Sequence, residues 1–280
     1  MSSPFLLCTD LDRTLLPNGE QPESPLARRT FSQVVTQSGF TLAYVSGRDL
    51  KRVVQAIENY CLPQPNYIIA DVGAAIYDAP QGEWQFWQRW EQEIHGDWNG
   101  HSRDQLSGYL RDIRALRLQE HGKQSTYKLS YYFSLNEDQQ ALAEQVEQRL
   151  TRYGIRHCLV WSIDEPAGIG LLDILPQSAN KLHAVEFVQH YLGIGRNRTL
   201  FAGDSGNDIQ LLASAIPAVL VANAMPVVVE IAVTRANAAG NGDLLYLAHG
   251  GFNAMNGNYS AGILEGLAHF YPDTVKDFLL

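Results

Sequence analysis

The stretch Phe5-Leu6-Leu7-Cys8-Thr9-Asp10-Leu11-Asp12-Arg13-Thr14 is an apolar run that stops at two carboxylates two positions apart. Too short for a helix and apolar at consecutive positions, the run reads as a strand buried on both faces. Strand periodicity places Asp10 and Asp12 on one side of its C-terminal end, where an open parallel sheet binds ligands. Two like charges this close need a cation, or a proton on one of them. Taken alone, such a pair is also what two turn acids look like, so the rest of the chain has to decide.

The chain has 280 residues, 45% of them hydrophobic, enough for one large core or two modest ones. A net charge of −9 without any run of Lys or Arg argues against a nucleic-acid or membrane-surface partner. An anionic substrate would need local positive charge or a metal to overcome that field. Cys8, Cys61 and Cys158 follow no disulfide or metal-ligand spacing and read as apolar thiols in a reducing cytosol. Asp10 and Asp12 interrupt any leader-like run after Met1, and no 18 consecutive apolar residues occur. The expectation is a soluble, cytoplasmic protein.

Downstream of the opening strand, Pro17, Asn18 and Gly19 mark a loop. Ser24 and Pro25 look like an N-cap and first helical position for a helix over 24–37. A second buried strand over 40–45 runs into Ser46-Gly47-Arg48, a helix over 49–60 follows, and a third strand over 67–70 ends at Asp71. Strand and helix alternate, and polar residues collect at strand ends, the pattern of a parallel sheet covered by helices. Near Ala79-Pro80-Gln81-Gly82 the composition shifts toward aromatic and charged residues, and all five tryptophans follow. Helices over 101–117 and 136–153 and strands over 128–133 and 157–162 suggest an inserted α+β unit. The stretch 84–90 fits a hairpin strand and a helix start alike, and the tryptophans read as the insert's core in preference to a sugar platform. Alternation resumes with a helix over 181–192, a strand over 199–202, and the turn Gly203-Asp204-Ser205-Gly206-Asn207-Asp208 leading into a helix from Ile209. A strand over 217–221 and a closing helix over 259–270 complete the pattern, with 236–243 expected to be a flexible loop. The expected division is a core in two pieces, 1–81 and 178–280, with the insert at 82–177.

Four polar clusters thus fall at ends of core elements: Asp10 with Asp12, Ser46 with Gly47, Lys181, and Asp204 with Asp208. Each has an ordinary alternative: turn acids, a strand-end turn, a solvated helix start, a capped loop. Together they supply what phosphoryl transfer needs, namely a nucleophile, a proton donor, charge neutralisation and a metal. Three carboxylates suit a hard cation such as Mg²⁺, and the Ser46 hydroxyl, Gly47 amide and Lys181 ammonium suit phosphate oxygens.

In this order the motifs Asp10-Leu11-Asp12-x-Thr14, Ser46-Gly47-Arg48, Lys181 and Gly203 to Asp208 resemble the haloacid dehalogenase superfamily of phosphotransferases. The stretches Asp71-Val72-Gly73-Ala74-Ala75-Ile76-Tyr77, Leu172-Asp173-Ile174-Leu175-Pro176 with Asn180-Lys181, and Ala261-Gly262-Ile263-Leu264-Glu265-Gly266-Leu267 are similar to the sucrose-phosphate phosphatases. The resemblance implies a doubly wound, Rossmann-like core of haloacid dehalogenase type with an α+β cap inserted after the third strand. It implies Asp10 as nucleophile, Asp12 as acid and base, and Mg²⁺ on Asp10, the Asp12 carbonyl, Asp204 and Asp208. Ser46, Gly47, Lys181 and Asn207 would hold the phosphoryl group. Lys128 and Tyr131 become candidates to meet sugar hydroxyls, against their reading as a strand lysine and a cap-core tyrosine. Asn223 is either a site residue or a turn asparagine. Arg13 stands where relatives carry Gly or Asn, and the sequence assigns it no role. Hinges are expected at 78–82 and 176–179.

The resulting expectation is a Mg²⁺-dependent phosphatase of a sugar phosphate, with sucrose 6-phosphate first. Rivals are mannosylfructose phosphate, another disaccharide phosphate or a hexose phosphate as substrate, a phosphomutase, and a non-catalytic carbohydrate-binding protein. A synthase that hands over the substrate is conceivable, and no residue points to one.

Overall fold

The opening apolar run forms β1 (Phe5–Thr9), near the middle of an eight-stranded sheet. The computed structural model describes residues 4–278 apart from 38, 81, 165 and 166. After β1 come α1 (Ala27–Val35), β2 (Phe40–Val45), α2 (Leu50–Asn59), β3 (Tyr67–Ala70), β4 (Ala75–Asp78), β5 (Gln85–Phe86) and α3 (Gln88–Ile94). A second unit follows, built of α4 (Arg103–Leu110), β6 (Arg117–Leu118), β7 (Leu129–Phe133), α5 (Gln139–Thr151), β8 (His157–Asp164) and β9 (Ile169–Pro176). The chain returns with α6 (Lys181–Leu192), β10 (Thr199–Gly203), α7 (Ile209–Leu212), β11 (Ala218–Leu220), α8 (Pro226–Ala238), β12 (Leu245–Leu247) and α9 (Ser260–Phe270).

The large sheet has the order β12-β11-β10-β1-β2-β3-β4-β5, parallel from β12 to β3 and antiparallel at β4 and β5. From β1 the chain goes to β2 on one side and later returns to β10 on the other. The strand order therefore reverses between β1 and β10, which opens a crevice beyond their carboxyl ends. Side chains alternate as a doubly covered strand requires. Phe5 and Leu7 join one apolar layer, and Leu6 and Cys8 join the other. Tyr44 and Val45 divide in the same way, so helices cover both faces. The second unit is an antiparallel sheet of order β6-β7-β9-β8, with Leu106, Leu142 and Val146 of its helices packed on Tyr131 and Leu172. The doubly wound core with an inserted α+β cap expected from the sequence is the fold observed.

Several local expectations are corrected. Helix α1 begins at Ala27 rather than at 24, because Leu26 adopts a left-handed conformation (φ 64°). The Ser24 hydroxyl accepts from the Asn256 N–H instead of capping the helix. Helix α4 stops at Leu110, and Arg117 and Leu118 pair with Tyr132 and Tyr131 as an edge strand rather than extending the helix to 117. The segment 236–243 is not all loop: α8 runs to Ala238 and buries Ala232 and Ala236, four apart, on one helix face. The undecided stretch 84–90 is a two-residue strand followed by a helix. Its pairing of Tyr77 with Phe86 carries the core sheet past the boundary drawn at 81. Trp90 is buried against Phe187 and His183 of α6, and Trp87 meets Tyr67 and Tyr191, so these two tryptophans serve the core domain. Trp98 and Trp161 are the ones that pack with the cap. Gln81, within the expected hinge 78–82 and at the expected boundary, lies outside the described residues.

Candidate active site

Three strand ends and one helix start converge on the crevice. Asp10 leaves β1 with its N–H bonded to the Ala202 carbonyl of β10 (2.9 Å), which holds the two strand ends in step. Asp204 follows β10, and a short turn then brings Asp208 back against it. The Asp208 Oδ2 accepts from the N–H groups of Asp204 (3.2 Å) and Ser205 (3.1 Å) and from the Ser205 hydroxyl (3.0 Å). A Cβ on Gly203 would lie 2.8 Å from the Asp208 carboxyl carbon, so the turn closes only over glycine. Carboxylate oxygens of Asp10, Asp204 and Asp208 lie within 4.8 Å of one another, and all three residues are buried.

Lys181 opens α6 and is 2% exposed. Its ammonium donates to Asp10 (3.0 Å), Asp208 (2.7 Å) and the Asn207 side-chain oxygen (2.8 Å). Burial opposes the Lys181 charge, and Asp10 and Asp208 outweigh it, holding the ammonium above its ordinary pKa. Burial pushes Asp10 well up, Lys181 draws it back, and the charges of Asp208, Asp204 and Asp12 push it up again. Asp204 is pushed up to about 7, first by burial and then by Asp208, with Thr14, Arg13 and Lys181 pulling down. One ammonium among three carboxylates, with the Arg13 guanidinium 3.6 Å from Asp204, still leaves the cluster short of positive charge, and its all-oxygen donor set suits a hard divalent cation.

Asp12 faces the crevice and is forked by Arg48 through Nε (2.7 Å) and Nη2 (2.5 Å), while Asn18 donates to the same carboxylate (2.6 Å). Ser46 is fully buried, with its carbonyl accepting from the Val72 N–H (3.0 Å). The turn after β3 is strained: Asp71 and Val72 both have positive φ (51° and 61°), and a β-branched residue rarely does. It is clamped from both sides, because a Cβ on Gly73 would stand 2.4 Å from the Asn180 carbonyl carbon, next to Lys181. From the cap, buried Lys128 reaches Asp71 (3.0 Å) and the Gly47 carbonyl (3.4 Å). Burial raises Asp71 against the pull of Lys128.

Asp10, Asp12, Gly47, Asp204 and Asn207 open onto one cavity of about 610 Å³ between core and cap. Ser46, Lys181 and Lys128 do not line it, and neither does Tyr131, a cap-core residue whose hydroxyl donates to Ser107 (3.4 Å). Asn223 lies outside it as well: it donates to the Arg13 carbonyl (2.6 Å) and accepts from the Tyr259 N–H (2.8 Å). Arg13 has a left-handed backbone (φ 58°), a conformation Gly and Asn adopt readily. Its guanidinium stands 3.6 Å from Asp204, with Nε buried and without a hydrogen-bond acceptor. The sequence reading missed Arg52 and Gln139 and the cap residues Trp161, Ser162 and Ile163, all of which line the cavity. No motif marks them; only the closeness of the cap brings them in.

This architecture is that of haloacid dehalogenase-like hydrolases. One from Bacillus subtilis superposes with a TM-score of 0.64 at 17% identity, covering 95% of this chain and 92% of that one. Within that class the chain belongs to the sucrose-6F-phosphate phosphohydrolase family, which it matches over residues 3–271. A HAD-like hydrolase of Nitrosococcus oceani is 49% identical over 274 residues, which are 98% of this chain and 74% of that protein. The mannosylfructose-phosphate phosphatase of Agrobacterium fabrum is 27% identical over 95% of this chain and 96% of its own length. The sucrose-phosphatase of Synechocystis sp. PCC6803, solved with sucrose and phosphate, superposes with a TM-score of 0.76 at 27% identity, covering 96% of this chain and 98% of that one.

Proposed function

We propose that this protein is a Mg²⁺-dependent phosphatase of a disaccharide phosphate, with sucrose 6-phosphate its first substrate and mannosylfructose phosphate the second to test. The observation that carries the reading is the convergence of Asp10, Asp204 and Asp208 around one buried ammonium at the switch point of the sheet. The substrate choice rests on the family and on the similarity to a sucrose-phosphatase and a mannosylfructose-phosphate phosphatase.

Asp10, Asp204, Asp208 and the Asp12 carbonyl would hold the cation. When bound, it supplies the positive charge the cluster lacks and offsets charge on the phosphoryl oxygens. Asp10 attacks phosphorus, the bond from phosphorus to the sugar oxygen breaks, and an aspartyl-phosphate forms. Asp12 gives its proton to the departing sugar oxygen, then takes one from the water that attacks the phosphorus of the intermediate. Both Asp12 oxygens are engaged by Arg48, so Arg48 has to leave at least one of them before the sugar is protonated. Asn207 and the Gly47 amide, which open onto the cavity, would meet the transferring group, with buried Ser46 and Lys181 behind them and Lys181 holding Asp10 and Asn207 in place.

The test is phosphate release from a panel of sugar phosphates with Mg²⁺ and with chelator. Release from a disaccharide phosphate that needs Mg²⁺ and is abolished in Asp10→Ala supports the reading. Undiminished activity in that variant, or indifference to chelator, overturns the mechanism, and rearranged product without free phosphate makes the protein a mutase.

A further inference from the structure

The cavity has two unlike walls. Its floor carries the carboxylates, and its cap side is formed by consecutive residues of one strand, Trp161, Ser162 and Ile163. Along β8, Leu159 and Trp161 share a face that starts in the cap core, and the same face emerges at Ile163, which is 57% exposed. Trp161 is therefore only half sunk in the cap. Phe133 meets it edge to face, with ring centroids 5.1 Å apart at 89°, and fixes the plane of the indole. Strand β8 also packs on the turn 206–208 that carries Asn207 and Asp208, so this wall stands over the reacting end. Polar residues line the same cavity: Gln139 at the start of α5, Ser162 next along β8, and Arg52 from the core side. A volume of about 610 Å³ lies well inside the range of pockets for molecules larger than a bare phosphate. A cavity that offers a half-buried aromatic side chain and hydrogen-bonding groups together suits a sugar ring, which has an apolar C–H face and a rim of hydroxyls.

Resting on the phosphatase reading above, we propose that Trp161 is the platform on which the leaving sugar stacks, with Gln139 and Arg52 meeting its hydroxyls. Trp161 is thus a specificity determinant that acts through substrate binding, and it takes no part in proton or phosphoryl transfer. Its contact is the same in ground and transition states, so its loss falls on KM.

The experiment compares Trp161→Ala, Trp161→Phe and wild type on sucrose 6-phosphate and on acetyl phosphate, which has no ring to stack. A rise in KM of about 10- to 100-fold for the sugar phosphate in Trp161→Ala is expected, with kcat near wild type. Trp161→Phe recovers most of the loss, and acetyl phosphate turnover stays within about twofold in both variants. Equal losses on both substrates give Trp161 a purely structural role and overturn the proposal. So does an unchanged KM for the sugar phosphate in Trp161→Ala. If wild type turns over acetyl phosphate but none of the sugar-phosphate panel, the sugar reading itself fails, and the stacking proposal falls with it.

Discussion

The carboxylate cluster makes the metal-free protein sensitive to pH in a direction the structure fixes. Asp204 has a folded-state pKa of about 7 against an ordinary 3.8. Between those values the folded chain holds a proton that the unfolded chain has lost, so stability falls as pH rises. The contribution is fully present below pH 3.8, declines by about 1.4 kcal/mol per pH unit, and is gone above pH 7. The whole gap is worth about 4 kcal/mol. Asp204→Asn keeps the shape and an oxygen acceptor for Thr14, which donates to Asp204 Oδ1 at 3.0 Å, and removes the titration. Metal-free Asp204→Asn should therefore match wild type near pH 4 and exceed it by up to about 4 kcal/mol at pH 8. In melting temperature that is on the order of 10 °C for a chain of this size. The assay is thermal unfolding followed by circular dichroism across pH 4–8, with and without saturating Mg²⁺. Mg²⁺ should restore wild type most strongly above pH 7, where Asp204 is ionised, and should do much less for the Asn variant. An Asn variant that melts with or below wild type at pH 8 in chelator would refute the account of the cluster as short of positive charge.

Replacing Lys181 with Met should cost about 3–5 kcal/mol of stability in the metal-free protein, because Asp10 and Asp208 lose their buried ammonium; denaturant unfolding measures it. Asp12→Asn should lower kcat/KM for sugar phosphates by at least about 100-fold while affecting that for an activated aryl phosphate far less, since in transfer to Asp10 only the poor leaving group needs the proton; parallel kcat/KM measurements decide. Gly203→Ala pushes a methyl against the Asp208 carboxylate and should destabilise by roughly 1–3 kcal/mol and weaken Mg²⁺ binding, readable by calorimetric titration.

Much of the core was legible because its chemistry sits at boundaries that local rules mark. The run from Phe5 to Cys8 has no polar residue on either face, and a strand of that kind has one destination, the middle of a covered sheet. Asp10 and Asp204 then had to meet once β1 and β10 were neighbours. The cap was harder. The helix over 101–117 looked continuous because Ile113 and Leu116 extend its apolar spacing, and the cross-strand pairing of Leu118 with Tyr131 that overrides it is not local. Helix α8 escaped notice because its valines carry no helical stripe: Val227 stays 54% exposed while Ala232 and Ala236 are buried. The tryptophans were assigned by proximity in sequence, but Trp87 and Trp90 pack on α6, about a hundred residues on. Arg13 shows the converse. Its puzzle in the sequence becomes a backbone fact, a left-handed residue held by Asn18 and Asn223.

The turn Asp71-Val72-Gly73 touches three things at once. Its main-chain N–H groups bond the carbonyls of Ser46 and Arg48, its glycine abuts Asn180 beside Lys181, and its carboxylate receives Lys128 from the cap. An enzyme built this way couples its cap to the end of β2 and the start of α6 through a single turn. Were the cap to swing away, Lys128 would leave with it and the strained turn would lose its outer brace. The seat of the cap and the geometry of the strand end that carries Ser46 are thereby tied through one ion pair, so a change at Lys128 in the cap would be felt at a core strand end to which it does not belong.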